Sequence, residues 1–283
     1  MIELGLIGYP LEHSLSPKIH AAAFNECGLA GKYTLFSIDP ARMDKFQVVL
    51  EKVRSKELTG LNVTIPYKQT VIGLLDKLTP RAEKIGAVNT IYLKNNQLIG
   101  DNTDAAGFLA HVSAFLGMCG QALNIEKNAL VLGAGGAARG VVYALAHDGW
   151  NVTVAARRID QAQALINQLP DRKSALSAIH LNPDVFQDFS LELGLVINAT
   201  PVGMSPMIDK SPWPQDVKLP TRAAYYDLVY NPRDTKFVLD ARSAGYRAIT
   251  GMGMLVEQAA LAFEIWTGYN VPRSPLLSAV EEK

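Results

Sequence analysis

The sequence predicts an α/β protein with parallel strands, built as two units. Three observations lead there. Short β-branched or apolar runs alternate with longer helical segments along the chain, the pattern of parallel strands joined by crossover helices. One run, Asn128–Leu132 (NALVL), leads directly into a glycine-rich turn and then a helix. The chain has 283 residues, 48% hydrophobic and 19% charged, which suffices for two folded units and is too apolar for disorder.

Each element has its own reason. Glu3–Gly8 (ELGLIG) is expected as the first strand. Pro17–Cys27 follows as a helix with proline in its first turn and Ser16 as its cap. Tyr33–Ile38 reads as a strand and Met43–Lys52 as a helix. Leu61–Ile65 reads as a strand that ends at Pro66. Thr90–Lys94 and Gln97–Gly100 flank Asn95–Asn96 and form a hairpin. Thr103–Leu116 is a helix with the acid Asp104 in its first turn. In the second unit the strand NALVL, the turn GAGGAARG and a helix through Ala146 follow one another. Asn151–Ala155 is the next strand and Asp160–Gln168 a helix. Leu195–Asn198 and Ala224–Leu228 are further strands, separated by a Pro-, Ser- and Gly-rich surface loop, Thr200–Pro220. A last helix, Met254–Gly268, has apolar residues at helical spacing and stops at glycine. The nucleotide-binding unit is expected over 104–251.

Composition narrows the function. Lys+Arg and Asp+Glu are both 27, so there is no bulk charge to attract nucleic acid or an anionic membrane. Cys27 and Cys119 are too few for a disulfide framework or a four-thiolate zinc site, and the histidines show no metal-binding spacing. No metal is therefore expected. No run of 18 apolar residues exists, so no membrane span is expected. The segment MIELGLIGYPLEHS lacks a basic leader, and a cytoplasmic location is the expectation.

The turn Gly133-Ala134-Gly135-Gly136-Ala137-Ala138 carries the clearest chemistry. Its first glycine permits a tight turn. The second lets backbone approach a pyrophosphate, and Ala138 allows close packing of helix on strand. Phosphates would sit on free N–H groups at the helix N-terminus. A merely structural turn is the competing reading. NAD enzymes place an acid at the tip of the next strand, for the ribose 2′-hydroxyl. Here Ala155-Ala156-Arg157-Arg158 stands there. Two guanidiniums suit the 2′-phosphate of NADP; a solvated basic turn is the alternative.

Four polar clusters mark strand ends in the first unit: Ser14-Leu15-Ser16, Asn62-Val63-Thr64 with Lys68, Gly86 to Thr90 around Asn89, and Asn102-Thr103-Asp104. Alternation turns Asn62 and Thr64 to one side of their strand. Singly, each cluster also fits capping or surface roles. Together they offer hydroxyls, amides, one lysine and one carboxylate, which suits a small polyhydroxylated acid.

The segments SLSP, NVTIPYK, GAVNT, NTDAAG, GAGGAARG, INATPVGM, DLVYNP and GMGMLVEQAALAFEIWTG run in order from Ile7 to Gly268. Their set resembles the shikimate dehydrogenase family. The resemblance implies NADP-dependent interconversion of shikimate and 3-dehydroshikimate, in the pathway to aromatic amino acids. It implies an α/β substrate domain over 1–103, a Rossmann-type doubly wound NADP domain over 104–251, and residues 252–283 returning to the substrate domain. Lys68 and Asp104 fall on the family's catalytic pair. Ser14 and Ser16 fall on its substrate-carboxylate site. Thr64, Asn89, Asp104 and Gln258 fall on its ring-hydroxyl site, with Asn62 and Tyr230 nearby. Gly133, Ala134, Gly135, Gly136, Ala137, Arg157 and Arg158 would hold the cofactor's phosphates, while Thr200, Leu228 and Gly251 would line its nicotinamide side. The family often has Asn-Arg-Thr at the second-strand tip and another Arg shortly after. This chain has Ala156-Arg157-Arg158, with Gln161 at the later position. NADP is favoured, with NAD as an alternative cofactor. Quinate is the alternative substrate, and a non-catalytic nucleotide-binding regulator the alternative class. The expected state is a monomer or homodimer.

Overall fold

The computed structural model describes residues 1–118, 126–169, 174–182, 186 and 192–281. Cys119 lies outside them. The chain divides into two compact units, Met1–Gly107 with Leu255–Lys283, and Phe108–Met254. Both crossings between units fall inside helices, Asp104–Met118 and Met252–Thr267.

The first unit is built on a mixed six-stranded sheet. Its strands are β1 (Ile2–Gly8), β2 (Gly31–Ser37), β3 (Gly60–Val63), β4 (Lys77–Leu78), β5 (Thr90–Lys94) and β6 (Gln97–Asp101), in the order β2-β1-β3-β5-β6-β4. β1 runs parallel to β2 and β3, while β5 is antiparallel to β3 and β6. The β5–β6 turn has both Asn95 and Asn96 at positive φ, 51° and 61°, as a two-residue hairpin of the right twist requires. Strand β3 stops at Val63, earlier than Pro66.

Helices cover both faces of this sheet. On one, α2 (Met43–Arg54) and α3 (Pro80–Ile85) enclose Phe46, Val49, Leu61, Tyr67 and Ile91. On the other, α1 (Ser16–Glu26) packs with the C-terminal segment around Leu4, Ile19, Phe24, Phe263 and Trp266. Ser16 does not cap α1. It is the first helical residue, and its N–H donates to the Ser14 hydroxyl at 3.3 Å. The cap position itself is Leu15, which has no side-chain cap bond. Trp266 docks the returning helix: its indole N–H donates to the Ile91 carbonyl at 3.0 Å, and a Cβ on Gly60 would lie 2.2 Å from that indole.

The second unit holds an all-parallel sheet: β7 (Asn128–Leu132), β8 (Asn151–Ala156), β9 (Leu176–His180), β10 (Leu195–Asn198), β11 (Ala224–Asp227) and β12 (Ala248–Thr250). The order is β12-β11-β10-β7-β8-β9. Counted from β7 this is the doubly wound order 3-2-1-4-5-6, with its switch point between β7 and β10. Helix α4 (Asp104–Met118) leads towards it. Then α5 (Gly136–His147), α6 (Ile159–Asn167) and α7 (Lys236–Ser243) belong to it, before α8 (Met252–Thr267) and α9 (Arg273–Glu281). Among the described residues no helix is long and apolar enough to cross a membrane.

Candidate active site and cofactor cradle

In the first unit the strand ends gather polar groups. β1 and β3 run parallel, so both present their C-terminal ends on one side. The chain after β1 pairs with the turn after β3: Tyr9 N–H donates to Ile65 O, and Thr64 N–H to Ile7 O, both at 2.9 Å. Gly8 leaves room for Thr64, whose Cγ2 would be 2.3 Å from a Cβ there. That puts the Ser14 loop, Thr64 and the Lys68 turn at one edge. The backbone of Lys68 is fixed by Val88 N–H, which donates to its carbonyl at 2.7 Å.

Asp104 opens α4 without serving as its cap. Asn102 does that, its Oδ1 accepting from Ala105 N–H at 3.2 Å while its Nδ2 holds the Ala87 carbonyl at 2.9 Å. The Asp104 carboxylate is thereby available for other partners. Lys68 Nζ donates to Asp104 Oδ2 at 2.6 Å, and Asn89 Nδ2 donates to Oδ1 at 2.9 Å. The ion pair is largely buried, with side-chain exposures of 13% and 5%. A buried pair is strongly destabilised by loss of one partner, so both charges depend on each other.

Asn89 is the junction of the cluster. Besides Asp104, its two N–H bonds are shared among Thr103 Oγ1 at 2.9 Å and Gln258 Oε1 at 3.2 Å, while its Oδ1 accepts from Thr103 N–H at 2.8 Å. Gln258 arrives on α8, and its inward amide is partnered at both ends, since Nε2 donates to Leu255 O at 2.8 Å. Gly107 permits this approach. A Cβ there would meet Gln258 N at 2.8 Å. Below Asn89 lies Asn62, whose Nδ2 donates to Asn89 O at 3.0 Å and whose Oδ1 accepts from Tyr33 O–H at 2.7 Å. The Asn62 amide is thus occupied within the fold. Lys68, Asn89, Asp104 and Gln258 form one bonded cluster; Thr64 and Ser14 stand at the neighbouring strand ends; Tyr230 lies in the other unit, where burial pushes its phenol pKa up.

The start of α4 is braced by a pair that the sequence reading missed. Asp101 accepts from Thr79 Oγ1 at 2.7 Å and from Arg81 Nη2 at 2.9 Å, and its Oδ1 takes the Asn102 N–H at 2.7 Å. The T-P-R run of Thr79–Arg81 signals a helix start, with threonine as cap and proline first, and was the available clue.

In the second unit the glycine turn fits a dinucleotide. Gly133 has φ +107°, and a Cβ on it would lie 3.0 Å from the Ala199 carbonyl, so it brings the turn against the end of β10 at the switch point. Gly135 is exposed with nothing within 4 Å of its missing side chain, which leaves open space for a phosphate. No side chain caps α5, so its first N–H groups are not taken by a cap. Arg157 and Arg158 are exposed at the tip of β8 and make no ion pair among the described residues. Leu228 N–H donates to Asn198 O at 2.9 Å, and a Cβ on Gly251 would lie 2.6 Å from Leu228 O. Thr200, Leu228 and Gly251 therefore border adjacent strand ends. The described residues include no group of three or more His, Cys, Asp or Glu able to hold a metal.

Comparison with known proteins accords with both halves. The family described as "Shikimate dehydrogenase substrate binding domain" matches residues 6–91, "Shikimate / quinate 5-dehydrogenase" matches 120–234, and "Shikimate 5'-dehydrogenase C-terminal domain" matches 251–281. A shikimate dehydrogenase (NADP(+)) of Methanopyrus kandleri is 39% identical, over 99% of this chain and 94% of its own. The structure of shikimate 5-dehydrogenase from Thermus thermophilus with NADP(H) and shikimate is 36% identical, with a TM-score of 0.84, covering 99% of each chain. That of Listeria monocytogenes with shikimate and NAD is 30% identical, also at 0.84, covering 99% of this chain and 96% of its own. With such identity along almost its whole length, and with the lysine and aspartate of the NVTIPYK and NTDAAG segments bonded to one another, this chain belongs to the shikimate dehydrogenase family.

Proposed function

We propose that this chain catalyses the reversible NADP-dependent reduction of 3-dehydroshikimate to shikimate. The observation that carries the assignment of roles is the 2.6 Å contact between Lys68 Nζ and Asp104 Oδ2, set among neutral amides and hydroxyls. Oxidation of the C3 alcohol removes a hydride from carbon and a proton from oxygen. NADP+, when bound, supplies the hydride acceptor, and NADPH the donor for the reverse direction. Lys68 Nζ takes the hydroxyl proton on oxidation and returns it to the ketone oxygen on reduction. Asp104 aims that nitrogen through Oδ2 and is itself held by Asn89 through Oδ1.

Ser14 and Ser16 are assigned to the substrate carboxylate, and Thr64, Asn89 and Gln258 to ring hydroxyls. Asn62, its amide already engaged by Tyr33 and Asn89, is assigned to holding Asn89 in place. Tyr230 is assigned by the resemblance alone, and a cytoplasmic location and a monomeric or homodimeric state are part of the same proposal. The turn Gly133–Ala137 would hold the pyrophosphate on backbone N–H groups. Arg157 and Arg158 would hold the 2′-phosphate, and Thr200, Leu228 and Gly251 the nicotinamide side. Arginine rather than acid at the β8 tip favours NADP; with Gln161 where a further arginine often stands, NAD serves as a weaker second cofactor.

Initial rates with shikimate and quinate, each with NADP+ and NAD+, test the reading. The largest kcat/KM is expected for shikimate with NADP+. Equal or better efficiency with quinate would overturn the substrate assignment, and nucleotide binding without turnover would make the chain a sensor.

A further inference from the structure

Asp227 ends β11 and is fully buried, yet no cation pairs with it among the described residues. Among those residues its carboxylate is held by neutral donors alone. Asn198 Nδ2 and Val229 N–H donate to Oδ1 at 2.8 and 2.9 Å, and Thr235 Oγ1 donates to Oδ2 at 2.7 Å. Burial pushes its pKa up to about 6, against the pull of these three donors. A buried carboxylate without a counter-charge is costly, so its presence here calls for a role.

Its partners identify that role. Asn198 ends β10, and its own Oδ1 accepts from Thr200 N–H at 2.9 Å and from Thr200 Oγ1 at 2.7 Å. Its Nδ2 also reaches Val202 O at 2.9 Å, so the loop from Asn198 to Val202 is folded around one amide. Val229 and Thr235 bracket the loop after β11, and Thr235 also caps α7 through Val238 N–H at 3.3 Å. One carboxylate thus ties together the loops leaving two adjacent strands, β10 and β11, beside the switch point where Gly133 meets Ala199.

We infer that Asp227 is a positioning residue for the dinucleotide: by clamping the Thr200 loop to the Leu228 loop it shapes the wall that receives the nicotinamide half of the cofactor. This rests on the assignment of Thr200 and Leu228 made above. Asp227 does not touch the ligand; it acts through Asn198, Val229 and Thr235.

Two ligands separate this role from a general contribution to folding. NADPH engages both halves of the site, whereas adenosine 2′,5′-bisphosphate carries the 2′-phosphate and adenosine but no nicotinamide. Equilibrium titration of the full chain needs no turnover. Asp227→Ala should weaken NADPH at least about tenfold while leaving the bisphosphate within about twofold, a tenfold change being about 1.4 kcal/mol. Asp227→Asn keeps the volume and the Oδ1 acceptor but loses the charge and the Oδ2 acceptor, so the Thr235 bond survives only with its direction reversed, and it should show the same contrast at smaller size. It provides the reading if the alanine variant does not fold. Equal weakening of both ligands, or of neither, in the folded variant overturns the proposal. A wild-type chain that binds neither ligand would instead sink the NADP assignment itself.

Discussion

Replacing His20 by leucine should remove about 2 kcal/mol of acid sensitivity from the folded protein. His20 lies on α1, completely buried, with its ring parallel to Tyr33 at a centroid distance of 4.2 Å and Phe263 and Trp266 at 6.1 and 5.7 Å. Among the described residues neither ring nitrogen has a partner at good hydrogen-bond geometry. Burial lowers its pKa from 6.5 to about 3, opposed by the nearby Asn62 amide. The folded state therefore holds the neutral ring, and the unfolded chain binds the proton first. Stability is full above the unfolded value of 6.5 and is lost as pH falls towards 3. Per pH unit in that window the loss is about 1.4 kcal/mol, so between about pH 7.5 and pH 5 it amounts to about 2 kcal/mol. Leucine has a similar volume and no proton. Its packing cost, including the lost ring stack of about 0.5–1.5 kcal/mol, is the same at both pH values and cancels in the comparison. Asp227 titrates in the same range with opposite sign, since its folded pKa of about 6 lies above its ordinary 3.8, so its contribution falls as pH rises. It is present in both proteins and cancels too. Urea unfolding of wild type and His20→Leu at the two pH values gives the double difference. A value below about 0.5 kcal/mol would show that His20 is not buried as a neutral ring.

Other outcomes follow from the same geometry. Arg157→Ala with Arg158→Ala should raise the NADP+ KM about tenfold or more, the worth of a charge-assisted bond, and leave the NAD+ KM unchanged. Equal effects on both cofactors would remove the 2′-phosphate from the β8 tip. Gly107→Ala pushes a Cβ to 2.8 Å from Gln258 N, so thermal unfolding should reveal a loss of about 1–3 kcal/mol and steady-state kinetics a raised shikimate KM. An unchanged KM in the folded variant would exclude Gln258 from the substrate site.

The parts of the fold that the sequence made legible are those buried on both faces. β7 and β10 occupy the centre of their sheet and carry unbroken apolar runs, NALVL and LVIN, and their bounds agree with the sequence reading. β4, β9 and β12 lie at sheet edges, and their two to five residues show neither a long apolar run nor clean alternation. Neither α7 nor α9 was expected from pattern alone. Both are short, eight and nine residues, with only three buried positions on α7 and one on α9. The site followed a similar rule. Lys68, Asn89 and Asp104 announce themselves as polar residues next to apolar strands, and the structure bonds them together. What holds them in place did not announce itself. Tyr33 meets Asn62 across 29 residues and Arg81 meets Asp101 across 20, contacts that no local pattern encodes. Ser16 illustrates the limit of local rules: either serine could cap α1 by its type, and only the folded backbone shows that Ser16 is the first helical residue and that Ser14 receives its N–H.

The most direct test of the proposed chemistry is the turnover of Lys68→Ala with shikimate and NADP+, measured beside its equilibrium affinity for shikimate. Loss of the proton-transferring nitrogen should lower kcat by at least about a hundredfold. Shikimate affinity should change little, because ring hydroxyls and carboxylate are assigned to other residues. A folded Lys68→Ala variant that turns over near the wild-type rate would contradict the role given to the Lys68–Asp104 pair.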